Sequence, residues 1–250
     1  MIKKILGIDV GATGIKGAIV DTETGLLLTE RIKIKTPKPA TPAAILNTIK
    51  KLRTKLNYTG KTIGIGFPSV VKDGVVLSAS NIDKSWINYA ITENYSEGLD
   101  STVYVINDAD AAGLAEMKFG KGKDQKGFVL FLTLGTGIGS ALFIDGVLLP
   151  NTELGHLKYK LSIAEKYASN SARELKGLSW KAWATELNAY LTSLEFLLSP
   201  QVIIIGGGVS KNFDQYQNYL TLSTPIHAAG LQNAAGVIGA AMAAQSKIKV

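Results

Sequence analysis

Residues Leu6–Val20, LGIDVGATGIKGAIV, decide how the chain reads. An apolar run ends at Asp9, then Gly11, Thr13, Gly14, Lys16 and Gly17 crowd into seven positions, and apolar residues resume. Apolar runs broken by glycines predict two strands, over 4–10 and 14–20, joined by a tight turn. Glycines let backbone N–H groups approach an anion, Thr13 adds a hydroxyl and Lys16 a charge. Asp9 would repel a bare phosphate. It suits a Mg²⁺ ion, held directly or through water, that brings phosphate oxygens with it. The stretch therefore reads as a phosphate-binding hairpin with Asp9 as its metal carboxylate. A strand follows and not a helix, so it is neither a Walker A loop nor a dinucleotide-binding glycine motif. Taken alone, it is equally readable as a tight hairpin with glycine for geometry.

A second copy weakens that plainer reading. Residues 128–146, FVLFLTLGTGIGSALFIDG, again run strand, Gly/Thr turn, strand, Asp-containing turn. Gly135, Thr136 and Gly137 become a second set of phosphate-binding residues. The internal match predicts two related α/β halves, each with a hairpin whose turn faces a shared cleft. Between and after them come further elements. A third strand is predicted over 26–35, then a Pro-punctuated loop, TPKPATP, over 36–42. Thr41 and Pro42 open a helix over 42–57. KTIGIGFP is a buried strand ending at Pro68, and STVYVIND a strand ending at Asn107–Asp108. An Ala-rich helix closes near Gly120, a helix covers 179–198, QVIIIGGG is a strand, and a small-residue helix covers 233–246. The predicted division is 1–108 with 233–250 against 109–232.

Other residues carry chemistry. Gly206, Gly207 and Gly208 end a strand before a predicted helix, where ligands of α/β sheets sit, and offer backbone to a flat ligand or more phosphate. Asn107 and Asp108 are good helix caps, but a carboxylate there, kept ionised by the helix dipole, also suits a general base for a hydroxyl. Glu153 and His156 in NTELGHLKY form a polar cluster suited to hydroxyls. Glu165 in AEKYAS is a further candidate, with a solvated helix position as the alternative. The other histidine, His227, reads as structural. In SASNIDKSW, Asn81 could bond a polyol and Trp86 wall its apolar face.

Composition bounds the rest. The chain has 250 residues, 46% hydrophobic and 19% charged, as in ordinary globular proteins. It has no cysteine, which excludes a thiol nucleophile and any cysteine-bound metal site. No run reaches the roughly 18 apolar residues needed to span a bilayer, and no signal-peptide core opens the chain, so a cytoplasmic protein is expected. The 27 Lys and Arg against 20 Asp and Glu leave a net charge of +7, which points to an anionic partner or to a solvated lysine-rich surface. Lys33, Lys35 and Lys38 form one cluster, and Lys118, Lys121, Lys123 and Lys126 a second, both candidate tracks for a polyanion. Neither shows the interleaved set of stacking aromatics or the groove-reading helix of a nucleic-acid site, so nucleic acid is not expected.

Together GIDVGATGIKGAIVD, INDADAAGLAE, LTLGTGIGSALF, NTELGH and IIIGGGVS resemble the ROK sugar kinases of the actin/hexokinase-like superfamily. TPKPATP, SNIDKSW, NTELGHL and LQNAAGVIGAAMAA look most like the family's polyphosphate/ATP-dependent glucokinases and glucomannokinases. The resemblance covers nearly the whole chain. It implies a two-lobe ribonuclease-H-like α/β fold, with the C-terminal helix returning to the first lobe. It implies Asp108 as catalytic base, with Asn81, Asn107, Glu153, His156 and Glu165 on the sugar. Asp9, Gly11, Thr13, Lys16, Thr136 and Gly137 would serve Mg²⁺ and a polyphosphate or ATP donor. Glucose or mannose would be the acceptor, in a homodimer. Many members carry a cysteine-rich zinc loop after the GH motif. Its absence here means that no zinc is expected and agrees with the polyphosphate branch. Ala12 stands where many relatives have glycine. A repressor would need a helix-turn-helix before the first strand, and a non-enzymatic ATPase would not need the Asn107–Asp108 and Glu153–His156 pairs. A strictly ATP-dependent hexokinase is the serious competitor.

Overall fold

In a computed structural model describing residues 4–80 and 82–247, β1 (Lys4–Val10) and β2 (Gly14–Asp21) form the first hairpin. They pair antiparallel from Lys4↔Asp21 to Val10↔Ile15. The chain divides into two units, one reaching Ala115 and resuming at Ala234, the other spanning Glu116–Asn233.

In the first unit the third strand is shorter than predicted. Only Ile32–Lys35 (β3) joins the ladder, and Leu27 makes an isolated bridge to Val20. The reason is local: the Ile19 N–H donates to the Thr29 hydroxyl at 3.1 Å, so a side chain replaces a backbone rung. α1 (Pro42–Lys55) starts as predicted, with Thr41 Oγ1 accepting from the Ala44 N–H. β4 (Thr62–Phe67) is followed by a small pair, β5 (Val71–Lys72) and β6 (Val75–Val76). α2 (Ile91–Leu99) has no counterpart among the predicted elements. β7 (Thr102–Asn107) leads directly into α3 (Asp108–Phe119), within which the chain passes to the second unit.

In the second unit β8 (Phe128–Leu134) and β9 (Ile138–Ile144) form the predicted second hairpin, extended by β10 (Val147–Leu149). A small pair, β11 (Lys158–Tyr159) with β12 (Ser162–Ile163), precedes α4 (Glu165–Ala168) and α5 (Asn170–Leu175). α6 (Trp180–Leu198) is capped by the Ser179 hydroxyl, which accepts from the Ala182 N–H. β13 (Val202–Gly206) follows. The helix predicted after the three glycines is instead a 3₁₀ segment, Gly208–Gln215, kinked at Asn212, and β14 (Ile226–Ala228) completes the unit. His227 lies exposed on this strand, solvated rather than structural. α7 (Ala235–Ser246) returns to the first unit.

The two large sheets have one topology. Their orders are β3-β2-β1-β4-β7 and β10-β9-β8-β13-β14, each with two antiparallel pairs followed by two parallel ones. Strands β1, β4 and β8 are near-continuous apolar runs because both faces are covered. α7 packs across β1, β4 and β7 at very close range. A Cβ on Gly7 would lie 2.0 Å from the Val237 carbonyl oxygen, and one on Gly64 1.9 Å from that of Ala240. Only glycine lets the helix sit on the sheet there.

Candidate active site

In the first unit the catalytic candidates share one rim of the sheet. β1, β4 and β7 are parallel neighbours, with Asp9 opposite Gly66 and Phe67 opposite Asn107. Asp9 and Asp108 thus emerge at the same strand ends, about 10 Å apart by two strand spacings. Asp108 opens α3, half-buried, and its Oδ1 accepts from the Ala109 N–H at 2.8 Å. Asn107 is more committed than the sequence suggests. Its Oδ1 caps α3, accepting from Ala109 at 2.8 Å and Asp110 at 3.1 Å, while its Nδ2 donates to the Ser69 carbonyl at 3.3 Å. Among the described residues one amide hydrogen is left for a ligand.

The first turn holds its own ion pair. Lys16 Nζ lies 2.8 Å from Asp9 Oδ2. The Gly11 N–H donates to the Gly14 carbonyl at 3.2 Å, and Thr36 Oγ1 donates to the Gly11 carbonyl at 2.6 Å. Ala12 and Thr13 are exposed at the tip, so the Ala12 methyl is accommodated. Gly236, not among the predicted residues, lies in the first turn of α7. A Cβ there would be 3.1 Å from the Asp9 carboxyl carbon, so the helix N-terminus closes on Asp9. This donor set fits Mg²⁺ held chiefly by a substrate. It offers one carboxylate beside an open turn, and no group of three or more His, Asp or Glu among the described residues is arranged to hold a metal ion by itself. Lys33 and Lys35 lie exposed on β3, opposite Lys16 and Gly14.

In the second unit, Gly135, Thr136 and Gly137 form the turn of the β8–β9 hairpin, with the Gly135 N–H donating to the Gly137 carbonyl at 3.0 Å. The three-glycine run divides in its purpose. Gly207 has φ +80°, and a Cβ there would meet the Leu134 backbone at 2.5 Å, so it seats β13 on this hairpin. Gly206 is buried against Phe131. Gly208, like Gly135, has open space where a Cβ would be, so these two leave backbone accessible.

The polar cluster forms in the same unit. His156 Nδ1 lies 3.4 Å from Glu153 Oε2, and its Nε2 3.9 Å from Glu165 Oε2. Glu165 is buried, which overturns its solvated reading. It also accepts from the Ile138 N–H at 3.4 Å, tying the cluster to the residue that follows the Gly135–Gly137 turn. Burial raises the Glu153 carboxyl above the usual range, His156 opposes the shift, and Glu165 adds to it. Ser140 and Thr152, absent from the predicted set, bond each other and hold the Leu154 N–H, fixing the loop that carries Glu153.

Two members of the SASNIDKSW reading fare differently. Asn81 lies outside the described residues. Trp86 is no sugar wall: it is fully buried among Phe67, Tyr89 and Tyr95, and its Nε1–H donates to the Ala40 carbonyl at 2.8 Å.

A duplicated sheet, an acid on a helix N-terminus and paired Gly/Thr turns define a phosphotransferase class, and residues 5–169 match the ROK family. The chain belongs to that family. It is 45% identical over 238 residues to the polyphosphate glucokinase of Mycobacterium tuberculosis (strain CDC 1551 / Oshkosh), covering 95% of this chain and 89% of the relative. The polyphosphate glucokinase of Mycobacterium leprae (strain TN) is 43% identical over 243 residues, covering 97% and 75%. Among solved structures, the inorganic polyphosphate/ATP-glucomannokinase of Arthrobacter sp. strain KM superposes with a TM-score of 0.95 at 47% identity, covering 98% and 99%. The ROK family glucokinase of Streptomyces griseus, solved with glucose and AMPPNP, superposes at 0.84 with 26% identity, covering 98% and 100%. The fold is thus the actin/hexokinase-like, ribonuclease-H-like α/β fold of ROK sugar kinases, and the chain is a sugar phosphotransferase. No helix among the described residues is long and apolar enough to cross a membrane.

Proposed function

We propose that the chain transfers the terminal phosphoryl group of inorganic polyphosphate, with ATP as a second donor, to the 6-hydroxyl of glucose. The observation that carries this reading is Asp108: an acid on a helix N-terminus, at the sheet rim that also carries Asp9. The near-full-length likeness to polyphosphate glucokinases supports the choice of donor and acceptor.

Asp108 accepts the 6-hydroxyl proton as that oxygen attacks the terminal phosphorus. The bond from phosphorus to the rest of the donor breaks, releasing a chain one unit shorter or ADP. Asp9 would hold Mg²⁺, which supplies charge neutralisation on the phosphoryl oxygens. Lys16 keeps Asp9 in place. The turns that hold Gly11, Gly135 and Gly208 bind donor oxygens at their tips, through the Thr13 and Thr136 hydroxyls and the backbone N–H groups left after Gly11 and Gly135 bond within their own turns. Gly14, Gly137, Gly206 and Gly207 shape these turns. Glu153, His156 and Glu165 bind ring hydroxyls, and Asn107 adds its remaining amide hydrogen. The carboxylates accept from hydroxyls while the imidazole matches the ring's acceptors, which rejects acceptors lacking those groups.

The test is glucose phosphorylation by purified protein with Mg²⁺, polyphosphate and ATP being supplied separately. Turnover with polyphosphate is the expected result. Turnover with ATP alone would overturn the donor assignment and keep the sugar kinase. Absence of turnover with either donor, on glucose or mannose, would overturn the reading.

A further inference from the structure

Glu116 is wholly buried, and the chemistry above does not use it. Its carboxylate accepts three backbone N–H groups: Lys121 and Gly230 at 3.0 Å on Oε2, and Leu231 at 2.6 Å on Oε1. A charge removed from water requires such partners. Here they come from two loops separated by more than a hundred residues. Position makes the acid more telling. It lies in the C-terminal half of α3, where the helix dipole disfavours a negative charge. Helix stability is therefore not its purpose.

One loop it holds is KFGKGKDQKG, 118–127. By composition this is a flexible basic segment; in the structure it is pinned. A Cβ on Gly120 would fall 1.9 Å from Glu116 Oε2, so the carboxylate occupies the space of a side chain. The N–H groups of Gly120 and Gly122 both donate to the Glu116 carbonyl at 3.0 Å. Gly127 exchanges two bonds with Asp145 at 2.9 Å, closing the far end. Lys121, Lys123 and Lys126 remain exposed, and none forms an ion pair among the described residues. Asp124 is the loop's own carboxylate. The second segment under Glu116, Gly230–Leu231, follows Ala229, which lies 3.6 Å from the Cβ position of Gly206. Glu116 thus fixes the lysine loop beside the strand end that carries Gly206–Gly208.

We propose that Glu116 is a positioning residue for a polyanion-binding arm. It holds Lys121, Lys123 and Lys126 as an outward continuation of the Gly206–Gly208 turn, where they take the distal phosphates of long polyphosphate. The proposal rests on the polyphosphate-donor reading above. ATP, with three phosphates, does not engage the arm.

Two variants test it: Glu116→Gln, which turns an acceptor into a donor facing N–H groups, and the triple exchange Lys121→Gln, Lys123→Gln, Lys126→Gln on exposed positions. Both are assayed with long polyphosphate, tripolyphosphate and ATP, and long polyphosphate binding is measured directly by calorimetry without glucose. Each variant is expected to raise the KM for long polyphosphate on the order of tenfold, the loss of a few charge contacts. The KM values for tripolyphosphate, ATP and glucose, and kcat, stay within about twofold, which a merely structural lesion would not respect. The triple variant also flattens the salt dependence of long-chain binding, by roughly 0.7–0.9 per lysine on a log–log plot. An unchanged ratio of long-chain to ATP KM in the triple variant overturns the arm, even if Glu116→Gln fails to fold. Turnover of polyphosphate indifferent to these residues keeps the donor reading and sinks the arm. Binding that depends on them without turnover keeps the arm and sinks the donor reading. No binding by the unaltered protein overturns both.

Discussion

The β1–β2 and β8–β9 hairpins have the same seven-row antiparallel ladder at the same place in the same sheet order, yet they carry different chemistry. One row in from the turn, the first has Asp9 opposite Lys16 and the second has Thr133 opposite Gly139. The first turn, over residues 11–14, is also one residue longer than the second, over 135–137. One copy therefore holds charge, and the other holds backbone dipoles, stiffened by Glu165 and by the Ser171 N–H on the Gly135 carbonyl. On the roles proposed above, duplication kept the glycine turn and let the side chains differ, with metal chemistry at Asp9 in one copy and plain binding in the other.

That division can be broken from its charged side first. Asp108→Asn is expected to lose about 10²–10⁴ in kcat, the range of a general base, while keeping glucose affinity. Single-turnover kinetics and calorimetry read the two effects, and near-normal turnover would remove Asp108 from the role. Next comes Asp9→Asn, which leaves Lys16 without its partner. We expect a loss of about 10²–10³ in kcat/KM for the donor and a raised magnesium requirement in a Mg²⁺ titration. On the binding side, Glu153→Gln should raise the glucose KM by about 10–100-fold, as for a lost hydrogen bond to a charged group. Its stability should move oppositely. Burial raises the folded-state pKa of Glu153, so its favourable contribution is present at acid pH and lost as pH rises through the raised value. The Gln variant should melt higher than the parent at neutral pH, with the gap closing below the usual carboxylate range. A constant gap from pH 3 to 7 in thermal melts would contradict this. The smallest effect belongs to Thr136→Ala, about 2–10-fold in donor kcat/KM for one neutral hydrogen bond. If it matched Asp9→Asn in steady-state assays, the two hairpins would share the chemistry after all.

What the sequence disclosed follows from how local each signal is. Both hairpins and the rim position of Asp108 were legible because apolar alternation, glycine turns and caps act over a few residues. Trp86 was misread because the ring is swallowed by Tyr89, Tyr95 and Phe67, an arrangement set by α2, which the pattern did not reveal. Truncating it to Ala would cost about 3–5 kcal/mol, as for a buried aromatic. Glu165 could not be settled because its partner, the Ile138 N–H, lies 27 residues away. The glycines were the hardest. Gly207 is demanded by packing on Leu134, while Gly208 and Gly135 leave open backbone, and one letter encodes both situations.

The seat of α7 on Gly7 and Gly64 sets an order of events during synthesis. The first unit's sheet leaves the ribosome early, but the helix that covers one of its faces is made only after all of Glu116–Asn233. Until then a groove shaped for small residues, flanked by apolar strands, waits open. The second unit, by contrast, is translated without interruption and is able to collapse first. On the roles proposed for Asp9 and Asp108, activity is acquired only as the last helix docks, and truncated or stalled chains would carry Glu153, His156 and Glu165 without a completed rim around the two acids.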